Sequence, residues 1–198
     1  LGADKKVFLT ELEKLHLEGY EIAFETTQRN AITATHVNVI LTGQDQAHDH
    51  THIHEHIHDH GHTHEHDHEH HSHDHERGHF HRSFRDIRQM IQNSELSKEV
   101  KDLSLRIFTR VARAEAKVHH KDIEEVQFHE VGAVDSIVDI VGSAILITML
   151  KPDRICASVV QDGHGFVHCQ HGMLSVPVPA VCEIFAESDA LIRQIDVD

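Results

Sequence analysis

Between His48 and His81 the chain carries 17 histidines, 8 acidic residues and one arginine, and this stretch lacks the apolar surface that an ordered core requires. Histidine occupies every even position from 48 to 70. As a strand, that alternation would line imidazoles along one face. The opposite face, with Asp49, Thr51, Glu55, Asp59, Gly61 and Thr63, is also polar, so neither face can be buried. Residues 47–82 are therefore expected to be a disordered insertion when metal-free. They divide one globular domain into residues 1–46 and residues 83–198.

The tract's chemistry is that of imidazole, which binds borderline divalent ions such as Ni²⁺, Zn²⁺ and Cu²⁺. The candidate metal ligands are His48, His50, His52, His54, His56, His58, His60, His62, His64, His66, His68, His70, His71, His73, His75, His79 and His81. On a flexible chain two or more of these rings can close onto one ion at high local concentration. The interspersed carboxylates attract cations and can accept the second ring proton of a ligating imidazole. Ligand type alone does not choose nickel over zinc. The plainer readings are a solvated linker or a purification tag, although a tag is usually an uninterrupted run.

Charge and cysteine usage narrow the partners. With 18 basic and 33 acidic residues the formal charge is −15, which opposes binding to nucleic acid or an anionic membrane and favours cations. The 25 histidines titrate near ~6.5 when unperturbed, so mild acid cancels much of that charge and releases imidazole-bound metal together. Cys156, Cys169 and Cys182 are odd in number and show no CxxC spacing, which fits a reducing cytoplasm better than a secreted disulfide framework. The start, LGADKKVFLTELEKL, reads as a helix already under way and not as a signal peptide. The one long apolar run, residues 131–150, carries Asp135 and Asp139. Its uncharged part falls short of the ~20 residues that span a bilayer.

Elsewhere the patterning predicts an α/β fold, with α+β as the variant. Phe8, Leu9, Leu12 and Leu15 recur at helical spacing before Gly19. Residues 20–27 and 32–41 read as a β-hairpin turning near Arg29–Asn30. Phe84, Ile87 and Ile91 form one helical stripe, and Val100, Leu103, Ile107, Val111 and Ala114 form another after a break at 93–97. A strand at 123–128, a buried helix at 135–150 ended by Pro152 and a strand at 155–160 suggest a βαβ unit. Residues 163–172 read as a Gly-rich loop or turn, and the PVPA run at 177–180 as an extended lead into a last helix near 181–186.

Two constellations carry further chemistry. In FHEVGAVDSIVDIVG (128–142), His129 and Glu130 precede a helix with Asp135 and Asp139 on one face. Carboxylates on so apolar a helix should face a cleft, a metal or basic partners, because burying them unpaired costs several kcal/mol. Alternatively, Asp135 flanks the helix N-terminus and Asp139 meets Arg106 or Arg110. In GHGFVHCQHG (163–172), His164, His168, Cys169 and His171 lie close enough to hold an ion or position a sulfur-containing substrate. The alternative there is a turn with surface histidines and a buried, inert cysteine.

The block HEVGAVDSIVDIVG (129–142), followed by QHGMLSVPVPAV (170–181), resembles the nickel insertion proteins of nickel-pincer cofactor biosynthesis (LarC). Their pattern is HEVGA-x-DSI-x-DI-x-G, then a Gly-rich turn, then AHG-x-LPVPAPAT, with a histidine-rich insertion ahead of the helices. Ser175 and Val178 depart from it. The resemblance implies insertion of Ni²⁺ into pyridinium-3,5-bisthiocarboxylic acid mononucleotide, a lyase-class cyclometallation forming one carbon–nickel and two sulfur–nickel bonds. CTP is hydrolysed with Mn²⁺ or Mg²⁺ assisting. It further implies that His129, Glu130, Asp135, Asp139, Cys169 and His171 line or shape the catalytic site. The family's FSGxxGDM segment is absent before Leu1 and its nucleotide-handling half is absent after Asp198, so a fragment or split subunit is expected. Expected partners are that C-terminal half, a downstream nickel-pincer enzyme and a second copy in a homo-oligomer, with no nucleic acid and no membrane. The rival readings are a non-catalytic nickel or zinc store or metallochaperone, and a scaffold with an incidental histidine linker.

Overall fold

The computed structural model describes residues 2–29, 31–42, 82–128, 131–169 and 171–195. The histidine tract, and with it the expectation of a disordered insertion, lies outside the described residues. The first element, α1 (Lys5–Glu13), starts where the Asp4 carboxylate accepts from the backbone N–H groups of Lys6 and Val7. It buries Phe8 and Leu12, and Leu15 follows them inward just past its end. The expected hairpin is present: β1 (Tyr20–Arg29) pairs antiparallel with β2 (Ile32–Leu41), from Tyr20 opposite Leu41 to Arg29 opposite Ile32. In the turn, Ala31 takes φ 63°, the sign that a tight two-residue hairpin turn demands.

Beyond the tract, the two-residue β3 (Arg82–Ser83) runs into α2 (Phe84–Asn93). Ser83 and Asp86 cap that helix reciprocally, with the Asp86 N–H donating to Ser83 Oγ and the Ser83 N–H to Asp86 Oδ2. After the expected break, α3 (Lys98–His119) begins at the Ser97 cap and stops where His120 turns left-handed. The face that α3 buries differs from the expected one. Val100, Ser104, Phe108, Ala112 and Ala114 are buried, whereas Leu103, Ile107 and Val111 are only partly covered. The helix packs against α2 on one side and two further helices on others, and small residues permit the closest approach.

The region read as a strand at 123–128 is mostly a 3-10 turn (Ile123–Glu125), leaving the short β4 (Gln127–Phe128) to pair with β3. Helix α4 (Val134–Leu150) follows and ends at Lys151, also left-handed, one residue before Pro152. Residues 155–159 are exposed and form no strand, and β5 (Val160–Asp162) pairs in parallel with β8 (Ile192–Gln194). The strands flanking α4 therefore join different partners, and the expected βαβ pairing between them is not formed. The Gly-rich segment read as a loop is a second hairpin, β6 (Phe166–Cys169) with β7 (Gly172–Ser175). Helix α5 (Pro179–Ala186) opens on Pro179, as a first-turn proline allows, and lies on α3 with Lys117 ion-paired to Glu183.

The core is one cluster in which Phe84, Phe108 and Phe128 meet at centroid distances of 6.3 Å. Arg88 clamps the neighbouring 3-10 turn through a bidentate pair with Glu124 at 2.6 and 2.5 Å. Among the described residues no helix is long and apolar enough to cross a membrane. Within the core, Ser104 Oγ is buried with no hydrogen-bond partner among the described residues, so Ser104→Ala should stabilise the fold by about 1 kcal/mol in denaturant unfolding. Conversely, Ser83→Ala should cost about 1 kcal/mol. The bonds from Ser83 hold the Asp86 carboxyl below its usual value. The Asp86 contribution is thus present above the usual carboxylate range, and the deficit of Ser83→Ala should shrink as pH falls through the lowered value.

Candidate functional site

The first motif is built around two close approaches. A Cβ on Gly132 would sit 2.8 Å from the Phe128 carbonyl oxygen and 3.2 Å from that of Arg82. Arg82 Nη1 also donates to the Gly132 carbonyl at 3.0 Å. Arg82, the first described residue after the histidine tract, is thereby fixed against the entry to α4. Ten residues beyond Gly132, a Cβ at Gly142 would lie 3.3 Å from the Phe8 ring, so a bare glycine lets α1 settle onto α4. Both glycines of this motif are thus packing residues. His129 and Glu130, between β4 and α4, lie outside the described residues.

A cleft of ≈ 1060 Å³ opens between α1, the β1–β2 hairpin and α4. Phe8, Phe24 and Val37 supply much of its apolar wall, while Lys5, Asp139 and Ser143 are polar groups on its lining. The rings of Phe8 and Phe24 meet edge to face at 6.4 Å, and Lys5 Nζ lies 4.3 Å from the centre of the Phe24 ring. That face of Phe24 is a seat for positive charge. Two carboxylates line this cleft, Asp4 and Asp139, and that of Asp4 is taken up in capping α1. Desolvation by the surrounding protein pushes the Asp139 carboxyl above the usual range, and the negative Asp135 one turn earlier adds to the shift. Asp135 is exposed in the first turn of α4, where the helix N-terminus favours a negative charge. Of the two suggested arginine partners, Arg106 and Arg110, the second is engaged elsewhere, its Nη2 donating to the Glu187 carbonyl at 2.7 Å.

The second motif lies apart from the cleft. Cys169 is half-buried at the end of β6, its Sγ 3.5 Å from the Gly172 carbonyl. His171 stands at the hairpin tip beside Gly172, whose φ of 88° closes the turn. The His171 ring lies 4.9 Å from that of His119 on the last turn of α3, tilted by 31°. Glu115, one turn back along α3, has Oε2 3.4 Å from His119 Nε2. Of the six residues expected to share one site, Asp139 lines the cleft, Asp135 acts on it by charge, and neither Cys169 nor His171 lines it. Among the described residues no three His, Cys, Asp or Glu side chains form a cage for a metal ion. Lys5, Phe24, Glu115 and His119 were not expected at a site. The i,i+4 spacing of Glu115 and His119 was visible in the sequence, but the fold that brings Phe24 over Lys5 was not.

Comparison with known proteins gives the class: the model of the family described as nickel insertion protein matches residues 1–197, and the chain belongs to that family. It is 47% identical over 192 residues to the pyridinium-3,5-bisthiocarboxylic acid mononucleotide nickel insertion protein of Acetivibrio thermocellus, covering 96% of this chain and 40% of that one. Identity to the protein of the same name from Clostridium acetobutylicum is 53% over 186 residues, or 93% of this chain and 44% of the relative. A putative nickel insertion protein of Wolinella succinogenes is 42% identical over 185 residues, 93% and 39% of the two chains. The chain spans about two fifths of the length of the curated relatives it matches. No solved structure matches.

Two substitutions test this architecture. Gly132→Ala should destabilise by about 1–3 kcal/mol, since backbone atoms line the space its methyl would need. Asp139 releases its proton later in the folded chain than in the unfolded one, so stability falls as pH rises through the raised value. Asp139→Asn should therefore raise the melting temperature at neutral pH, with the gain vanishing below the usual carboxylate range.

Proposed function

We propose that this chain gathers Ni²⁺ and seats the organosulfur acceptor for nickel insertion, the acceptor being pyridinium-3,5-bisthiocarboxylic acid mononucleotide. The observation that carries the reading is Asp139 at an apolar cleft whose Phe24 face already holds a cation, in a chain belonging to a nickel insertion family. A cationic pyridinium ring has the shape and charge to replace the Lys5 ammonium on Phe24. Asp139 then stands as the base: the ring C–H bond gives its electron pair to nickel, and the carboxylate takes the proton. Its raised affinity for a proton suits that task.

The histidine tract, from His48 to His81, supplies the ion by mass action. His129 and Glu130 complete the acceptor's surroundings in this proposal, with Cys169 and His171 on the metal's route. CTP hydrolysis is assigned to the remainder of the longer protein. The described residues include no group of His, Cys, Asp or Glu side chains arranged to hold the Mn²⁺ or Mg²⁺ that would accompany a nucleotide. The proposed setting is the cytoplasm.

The test uses the complete protein with acceptor, CTP and nickel, following formation of the carbon–nickel product. Asp139→Asn should lower the rate by about 10²-fold or more while nickel uptake stays unchanged; an undiminished rate would remove Asp139 from the mechanism. Deleting residues 48–81 should slow insertion only when nickel is scarce. Loss of all function at saturating nickel would favour a metal store or metallochaperone.

A further inference from the structure

We propose that the surface carried by β5 to β8 is a docking face for the remainder of the longer protein, which brings to it at least one further strand and an apolar cover. Among the described residues from Lys151 onward none is buried, yet they form four strands and a helix. Ordering a chain costs conformational entropy that buried apolar surface has to offset. Helix α5 rests on α3 and meets part of that need. The strands do not meet the rest, because each belongs to a two-stranded sheet, and such a pair is marginal without more strands or a packed helix. Ile155, Phe166, Met173 and Leu191 are 68%, 73%, 70% and 68% exposed. Single apolar residues on a surface are ordinary, but here they gather in one stretch that buries nothing. Phe166 and Met173 share a face of the β6–β7 hairpin, since Met173 stands opposite His168, two residues along from Phe166.

The β5–β8 pair points to the same need from its direction. Its strands run parallel, and Val160 and Ile192, which stand opposite each other, are both exposed. Parallel strands normally lie in sheets covered on both faces. Among the described residues no third strand pairs with either of them, so their outer edges offer unpaired N–H and C=O groups to an incoming strand. The family has chain to spare for this: three fifths of the Acetivibrio thermocellus relative lies outside the 40% that this chain matches. A second copy of the chain is the poorer occupant, because a formal charge of −15 on each copy opposes their approach. A segment of the same protein meets the surface at high effective concentration, and modest pairing then suffices. The docking rests on family membership and not on the reaction proposed above.

The experiment compares amide hydrogen exchange in the complete protein and in the 198-residue chain. The amides of β5 to β8 should exchange about tenfold or more slowly in the complete protein, a larger change than in α2, α3 and α4. Equal exchange in the two proteins would overturn the proposal. So would slowing in the 198-residue chain as its concentration rises, because a second copy would then cover the surface. Phe166→Glu and Met173→Glu, made in the complete protein, should each speed exchange of β6 and β7 about fivefold or more, which reads the docking even if the shorter chain fails to fold. If exchange there stays unchanged in both variants, nothing docks on this face, whichever reaction the protein performs.

Discussion

The contact between the Phe8 ring and the bare backbone of Gly142 organises this fold. Phe8 is buried in the core cluster, touches α4 where any larger residue would hold it off, and presents its edge to Phe24 on the hairpin. Three elements from different parts of the chain thus meet at one ring. Because α1 sits so close to α4 while the hairpin stands on its other flank, the remaining space becomes a cleft instead of solid core. Asp139 reaches that space from the same helix, one turn before Gly142. The packing that holds the domain together and the cleft that Asp139 lines are consequences of the same approach.

Much of this was legible in the sequence where local chemistry decides the outcome. Asp4, Ser83 and Ser97 mark helix starts because their oxygens accept from otherwise unpaired N–H groups, and the alternation at 32–41 gives a strand paired as expected. Where neighbours decide, the reading failed for physical reasons. On α3, hydrophobicity ranks Leu103, Ile107 and Val111 above Ser104 and Ala112, yet the smaller pair faces the crowded side. Glycines at 163, 165 and 172 suggested a loop or turn, and a tight turn does form, but the strands that pair across it were not foreseen. The parallel partner of β5 lies about thirty residues away in sequence, and no local pattern announces it.

The candidate site divides in the same way. Asp135 and Asp139 were conspicuous because charge on an apolar helix needs a cause, and one of them does face a cavity. Cys169 and His171 were conspicuous through composition, but composition cannot say which wall a side chain joins. Their hairpin meets the C-terminal end of α3 through His171 and not the cleft. The two motifs that stand out in the sequence therefore occupy different surfaces of the fold.

The segment that carries the histidine tract lies between two fixed ends: Leu41, the last residue of β2, and Arg82 of β3, whose own side chain is bonded across the entry to α4. For a flexible insertion between ends so held, closure costs free energy that rises only with the logarithm of its length, about 0.6 kcal/mol for each doubling. Adding or removing histidines there should therefore leave the architecture on either side almost unchanged.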